Sequence, residues 1–511
     1  MFIPFNVKDY LDRAETIYPD RVGVVDEPRQ PAESWGSLSF AELGRRARAQ
    51  AAALDRMGIG RGERVAIVSH NSARLLTALS GVSGYGRITV PINFRLNAAE
   101  VGYIVDHSGA SALLIDPELE ESLSSVKCER RFVIGADSDE ELYDFDTEPE
   151  PWEGDEGATA TINYTSGTTA RPKGVQLTHR NCWVDAALFG WHTGVSDRDV
   201  YLHTLPMFHV NGWGMLWSTI GMGCTQVVLR KVDGAEILRR VEEHGVTLMC
   251  GAPAVVNSIL DAAASWDGPI PGQGTARIIV AGAAPPSQSI ERVETELGWE
   301  LGQLYGLTET SPLVTINRRR AEWDDLEPVD RARKLMRAGS PTIGTKVSID
   351  AEGEVLVRSN TVMEGYWEQP DESEAVLKDG WFHTGDGGLV DEDNYLHILD
   401  RKKDVIITGG ENVSSLEVED VVFSHPAVSE VAVIGIPDEK WGELVTALVV
   451  LAADQSVTEA DLIAHCRESL SGYKAPKKVE FRDSLPRTAT GKLQKFRLRS
   501  DFWEGQERQV N

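Results

Sequence analysis

The stretch "ATATINYTSGTTARPKGVQLTHRN", Ala158 to Asn181, reads as a β-rich run, a loop of hydroxyls, glycines and one lysine, and a helix beginning near Thr178. A loop between strand and helix offers backbone N–H groups and hydroxyls to an anion, and the helix dipole adds to the attraction. It is not a Walker A loop, which places Gly-Lys-Ser/Thr at the opening of the helix. Here Pro172 precedes Lys173 and Gly174 follows. On these residues alone a phosphate loop and a polar structural turn both stand.

The same rhythm extends on either side. "RVAIVS" (Arg64 to Ser69), an amphipathic stretch from Ser72, "ITVPIN" (Ile88 to Asn93), a helical segment from Asn97 and "ALLID" (Ala112 to Asp116) alternate strand and helix. Downstream, "TQVVL", "VTLMC" and "ARIIVA" are strands, with helical patterns from Gly234, Pro253 and Pro285. Alternation of this kind predicts parallel βαβ units, here two α/β subdomains. The acidic stretch Ala136 to Glu156 between them has few strong core formers and several prolines, which predicts a surface connection. Beyond Gly339 the pattern changes to short strands and turns, "EVLVR", "YLHILD" and "DVIIT". From Ser414, helices and strands mix over about 110 residues, the pattern of a small α+β domain. The expected fold class is α/β, with a large N-terminal domain over residues 1–400 and a smaller C-terminal domain over residues 401–511, divided at "DRKKD".

Composition bounds the function. A chain of 511 residues exceeds the size at which one core keeps growing. No apolar run approaches the ~20 residues of a membrane span, and the N-terminus lacks the basic-then-apolar order of a secretory signal, so a cytoplasmic protein is expected. Five scattered cysteines without C-x-x-C spacing read as buried thiols, neither a zinc site nor a disulfide frame. A formal charge of −28 argues against nucleic-acid binding, because an acidic field repels phosphate backbones. There are 15 Lys against 36 Arg and 79 acids, a balance resembling proteins of salt-loving microbes; an ordinary acidic cytosolic protein is the other reading. Eight of the lysines lie between Lys402 and Lys495, where an anionic ligand would arrive.

Seven motifs follow one another along the chain: "YTSGTTARPKGV", "PMFHVNGWG", "AGAAPP", "YGLTET", "GWFHTGD", "DRKKDVIITGGENVSSLEVE" and "PRTATGK". Their order resembles the adenylate-forming (AMP-binding) superfamily, and more narrowly its acyl-CoA synthetases acting on short- and medium-chain fatty acids. The resemblance runs from about Phe5 to Leu498. It implies ATP, Mg²⁺ and CoA as reactants and cofactor, and a fold with a mobile C-terminal lid. The implied chemistry is attack of a carboxylate on the ATP α-phosphorus to give acyl-AMP and pyrophosphate, then displacement of AMP by a thiol. Both steps develop charge on oxygen, so positioning and electrostatic stabilisation dominate.

Residue roles follow from the resemblance. Thr165, Ser166, Gly167, Thr168, Thr169 and Lys173 hold the β- and γ-phosphates, with Thr168 beside the metal; Ala170 stands where the family often has glycine. Gly282, Ala283 and Ala284 let the adenine plane lie against backbone, and Tyr305 and Gly306 border it. Glu309 is the Mg²⁺ ligand and Thr310 a phosphate contact. Asp386 accepts from the ribose hydroxyls and Arg401 is the second ribose or phosphate contact. Lys492 links the reacting carboxylate to the α-phosphate. Lys403 is the hinge of a lid rotation that brings Gly409 and Gly410 in as a pantetheine passage; a paired glycine equally makes a plain hairpin turn. His209 and Trp213 border the acyl pocket, His209 near the carboxylate and thiol path. Each of these residues also has an ordinary structural reading, as turn, core or solvated charge.

The expected partners are therefore a small carboxylic acid, ATP and CoA, with no nucleic acid and no membrane span; the resemblance also allows a homodimer. Two alternatives remain open at this point, an adenylating enzyme with a non-CoA acceptor and a non-catalytic nucleotide-binding relative.

Overall fold

The computed structural model describes residues 1–503 except 166–170, 402–403, 410, 439 and 488–492; for residues 136, 211, 213, 401 and 412 only the backbone is described. Four sheets organise the described chain. The first has seven strands. Arg64–Val68 lies at its centre, parallel to Ile88–Ile92 on one side and Ala110–Ile115 on the other. Thr159–Thr165, Lys173–Thr178 and Gly365–Tyr366 extend one edge. Ser72 and Asn97 cap the helices Ala73–Ser83 and Ala98–Ser108, Asn97 in a reciprocal capping box with Glu100. Each side-chain oxygen takes an N–H that the first turn leaves unpaired.

The amphipathic reading of the Ser72 helix needs correction, because every residue of Ala73–Ser83 is buried. It packs against the helix Phe40–Arg56 and the first sheet together. A helix covered on all sides has no polar stripe to show.

The second sheet has nine strands. Glu300–Tyr305, Arg277–Val280, Leu248–Gly251, Val200–His203, Thr225–Val228 and Val22–Val25 run parallel in that spatial order. The two α/β units are thus interleaved along the chain. Residues near the N-terminus join the second sheet before the first is built, while Gly365–Tyr366 returns to the first. The acidic stretch is more than a connection: it forms the helix Ala136–Leu142 and buries Leu142 and Tyr143.

A third, antiparallel sheet contains Lys346–Ile349, Glu354–Arg358, Leu377–Lys378, Trp381–Val390 and Leu396–Arg401. The fourth belongs to the smaller C-terminal domain. Its long hairpin Val428–Asp438/Gly442–Leu451 packs one face against the helices Ser415–Phe423 and Glu459–Ser469. The first of these helices is tied to the strand Leu396–Arg401 and to the chain's last described helix: the Ser415 N–H donates to Asp400 Oδ2 at 3.2 Å, and Lys495 Nζ pairs with Glu419 at 2.8 Å while also donating to the Ser415 hydroxyl. Across the domains, Asp420 Oδ1 accepts from the N–H and O–H of Ser287 at 3.0 and 3.1 Å. All five cysteines are free thiols, four of them buried.

Candidate active site

Parallel α/β sheets collect their ligands at the carboxyl ends of the strands, and the second sheet gathers the motifs there. Arg277–Val280 runs out into Ala281 and Gly282, the latter at φ +88. Ala283 is exposed, while Gly282 and Ala284 are half-buried, so the "AGAAPP" backbone presents an open surface.

The adjacent strand Glu300–Tyr305 ends at Tyr305, whose O–H donates to Asp386 Oδ2 at 2.8 Å. That bond joins two motifs 81 residues apart. Asp386 is buried in the strand Trp381–Val390, directly opposite Arg401 on Leu396–Arg401. The Arg401 side chain lies outside the described residues. Immediately after Tyr305 the chain turns sharply. A Cβ on Gly306 would stand 1.5 Å from the Pro312 carbonyl oxygen, so only glycine fits. Thr310 is fully buried; its hydroxyl accepts from the Leu307 N–H at 3.0 Å and donates to the Pro312 carbonyl at 2.7 Å. Those bonds brace the turn around Thr310. The brace fixes Glu309, half-buried at the turn's apex.

Glu309 meets a residue the sequence reading passed over. The Tyr366 O–H donates to Glu309 Oε1 at 2.9 Å, and burial together with this carboxylate raises the phenol well above its ordinary value. Tyr366 arrives from the first sheet, where Gly365–Tyr366 pairs antiparallel with Val175 and Gln176. Lys173 Nζ lies 4.9 Å from the same ring and pairs with the Glu372 carboxylate. Lys173, Tyr366 and Glu309 therefore form one file across the two sheets. Only the three-dimensional pairing reveals Tyr366 and Glu372, since neither belongs to a motif used above.

The strands flanking residues 166–170 have a different setting from the one expected. Thr165 ends the strand Thr159–Thr165 and sits opposite Lys173, first residue of Lys173–Thr178. The element after Lys173 is thus an antiparallel strand, and the helix His179–Thr193, capped by Thr178, begins only after it. Gly174 lets the strand lie close to its neighbour, since a Cβ there would approach Ile162 to 2.8 Å. Ser166, Gly167, Thr168 and Thr169 lie outside the described residues.

His209 follows the strand Val200–His203 and immediately precedes the short helix Val210–Trp213. Its half-buried ring stands 6.4 Å from Phe208, and Phe208 meets Phe94 edge-on at 5.5 Å. Trp213 ends that helix, with its side chain outside the described residues. Gly409, at φ +60, begins the turn between Ile406–Thr408 and Glu411–Val413 and donates its N–H to the Trp441 carbonyl at 2.7 Å. Gly410, Lys403 and Lys492 lie outside the described residues.

For a cation, two settings exist among the described residues. Glu309 offers Oε2, which has no hydrogen-bond partner there. Asp350, Glu354 and His383 bring ligand atoms within 4.8 Å of one another. In that trio Asp350 accepts from the Glu354 N–H at 2.7 Å and Glu354 from the Gly385 N–H at 2.8 Å, so these carboxylates brace the strand carrying Asp386. No described helix is long and apolar enough to cross a membrane.

This arrangement has counterparts. Residues 11–367 match the AMP-binding enzyme family and residues 417–492 its C-terminal domain. Acetate–CoA ligase of Humulus lupulus is 35% identical, over 96% of this chain and 93% of its own. The crystal structure of an anthranilate CoA ligase in complex with anthranoyl-AMP superposes with a TM-score of 0.88 at 26% identity, covering 98% of both chains. The o-succinylbenzoate CoA synthetase of Bacillus subtilis, in complex with ATP and magnesium ion, gives 0.80 at 29% identity over 96% of this chain and 99% of that one. With the family model spanning most of its length and residues of separate motifs joined across sheets by the contacts Tyr305–Asp386 and Lys173–Tyr366–Glu309, the chain belongs to the AMP-binding enzyme family, among its acyl-CoA synthetases.

Proposed function

We propose that the protein is an ATP- and Mg²⁺-dependent acyl-CoA synthetase that activates a short- or medium-chain fatty or related monocarboxylic acid as acyl-AMP and passes the acyl group to CoA. The observation that carries this reading is the file Lys173, Tyr366, Glu309 beside the pair Tyr305–Asp386. It would supply, from segments of three sheets, a cation for phosphates, an acid for a metal and an acceptor for ribose hydroxyls. In this reading Gly282, Ala283 and Ala284 give adenine a flat backbone, and Arg401 assists Asp386. Thr165 to Lys173 would hold pyrophosphate, and Lys492 would meet the reacting carboxylate.

The donor set fits Mg²⁺, which takes one or two carboxylates and completes its shell with water and phosphate oxygens. Glu309 offers one oxygen while Tyr366 orients the other. When bound, the cation neutralises phosphate charge as the acyl–phosphate bond forms. A family member solved in complex with ATP and magnesium ion supports Mg²⁺ as the cation.

His209 and Trp213 would border the acyl chain. Gly409 and Gly410 would form the pantetheine passage after a lid rotation about Lys403, which places the domain boundary between residues 400 and 401. A cytoplasm of high salt accounts for the charge of −28 and the scarcity of lysine, because screening lets an acidic surface stay compact.

Pyrophosphate release over a panel of short and medium acids, with and without CoA, at low salt and in molar KCl, tests this reading. Acid-dependent release with CoA-dependent thioester formation is expected, strongest in KCl. Exchange without thioester would point to another acceptor, and ATP binding without exchange to a non-catalytic relative.

A further inference from the structure

One helix packed on the first sheet grips both approaches to the residues expected to hold pyrophosphate. Tyr103 and His107, one turn apart on Ala98–Ser108, share a face of that helix and stack with ring centroids 5.3 Å apart. His107 Nδ1 lies 2.8 Å from the Tyr164 phenol oxygen. Burial raises this phenol above its ordinary value, so it keeps its proton and donates, and Nδ1 accepts. Tyr164 immediately precedes Thr165 in the strand Thr159–Thr165. The other approach meets Tyr103, whose O–H lies 3.5 Å from the Pro172 carbonyl and whose ring centroid stands 5.6 Å from the Arg171 guanidinium. Pro172 immediately precedes Lys173.

The ladder and the helix core make this arrangement rigid. Tyr164 pairs with Gly174 and Thr165 with Lys173. A Cβ on Gly174 would stand 3.1 Å from the Tyr164 ring carbon Cζ, so glycine is what lets the ring lie close over the second strand. The Trp367 N–H donates to the Gly174 carbonyl at 2.7 Å and holds that strand in turn. Behind the two rings, Val101, Ile104 and Val105 bury the helix against the first sheet. Apolar rings alone would fill the same space. The phenol–imidazole bond adds a fixed direction.

We propose that His107 is a positioning residue for ATP: through Tyr164, and with Tyr103 against Pro172, it holds Thr165 and Lys173 at the spacing that the β- and γ-phosphates require. The inference rests on the reading of Thr165 to Lys173 as the hold on pyrophosphate. His107 acts through the neighbouring strand end rather than on the phosphates themselves. Loosening contacts that bound ATP and the transition state share raises KM for ATP and spares kcat.

The test measures KM for ATP, KM for the acid and kcat in acid-dependent pyrophosphate release, with Tm alongside. Tyr164→Phe deletes the donor alone and His107→Ala the acceptor. Each is expected to raise KM for ATP about three- to tenfold, the range of one lost hydrogen bond, with kcat and KM for the acid nearly unchanged. The double variant should be little worse than the weaker single, because both changes remove the same bond. His107→Asn, whose side-chain oxygen stands near the place of Nδ1, should recover part of the affinity. A role in packing alone lowers Tm and leaves KM for ATP unchanged, and that result overturns the proposal. An equal rise in both KM values, or single effects that multiply in the double variant, also overturns it. Lys173→Ala separates this inference from the reading beneath it. If that variant leaves KM for ATP unchanged, or if no acid supports release by wild type, the reading fails and the inference falls with it; a rise there beside an unchanged Tyr164→Phe overturns the inference alone.

Discussion

The turn Thr308–Thr310 separates two regions built in opposite ways. On the proposed nucleotide side, polar groups ranging from buried Asp386 and Tyr366 to exposed Glu372 are already paired: Tyr305 with Asp386, Tyr366 with Glu309, Lys173 with Glu372. On the acyl side, Asp185 and Trp217 are sealed in the core, each with a polar atom unpartnered. The first arrangement holds charged oxygens whose positions must be fixed before the substrate arrives, and mutual hydrogen bonds do this at small desolvation cost. The second lies inside packed core, where burial keeps the Asp185 carboxyl protonated. Charge is placed at an open site in the first region and neutralised in the second.

The contrast is broken most severely from outside the described residues. Lys492→Ala is expected to lower acid-dependent pyrophosphate exchange by about 10³-fold, a loss typical of removing a charge that acts on the developing transition state. Thioester formation from supplied acyl-AMP should be little affected; equal loss of both half-reactions would remove Lys492 from the adenylation step. A smaller effect is expected at the paired side. Tyr366→Phe deletes the donor to Glu309 Oε1, and loss of a partner that orients a metal ligand typically costs about 10–100-fold in metal affinity or activity. The apparent Mg²⁺ requirement should rise with little change in melting temperature. An unchanged Mg²⁺ titration would show that Glu309 does not hold the ion.

The smallest effect sharpens the unpaired side. Because burial raises the Asp185 carboxyl, the folded chain keeps a proton that the unfolded chain releases above the ordinary carboxylate range. Its contribution to stability is therefore fully present at acid pH and is lost as pH rises toward the folded value. Tyr10 and Cys182, its titratable neighbours, are also raised by burial and stay neutral over that span. Asp185→Asn removes the titration, so the fall in Tm between about pH 5 and pH 8 should shrink by about 2–4 °C. An equal fall in wild type and variant would mean that Asp185 does not titrate across folding.

Much of the scaffold was legible because capping and periodicity are local. Ser72, Asn97 and Thr178 begin helices where the pattern placed them. The nucleotide motifs were legible because their residue types are short and contiguous. What escaped was set by pairing between distant segments. The antiparallel pairing that flanks 166–170 depends on Thr165 standing opposite Lys173, which no single-strand pattern specifies. Tyr366 reaches Glu309 only because Gly365–Tyr366 returns to the first sheet. Asp185 is buried against Gly214 and accepts from the Leu313 N–H, contacts far along the chain that no local pattern marks.

The contact between Asp420 and Ser287 couples two parts of this enzyme that the motifs describe separately. Ser287 opens the helix that follows "AGAAPP", and Asp420 belongs to the C-terminal domain. If that domain turns, the carboxylate must leave its two donors. Linkage is reciprocal: a nucleotide that orders the Gly282–Ala284 backbone would then favour the docked position, and docking would tighten the nucleotide by the same factor. Release of the nucleotide and release of the domain would become one equilibrium read at two places.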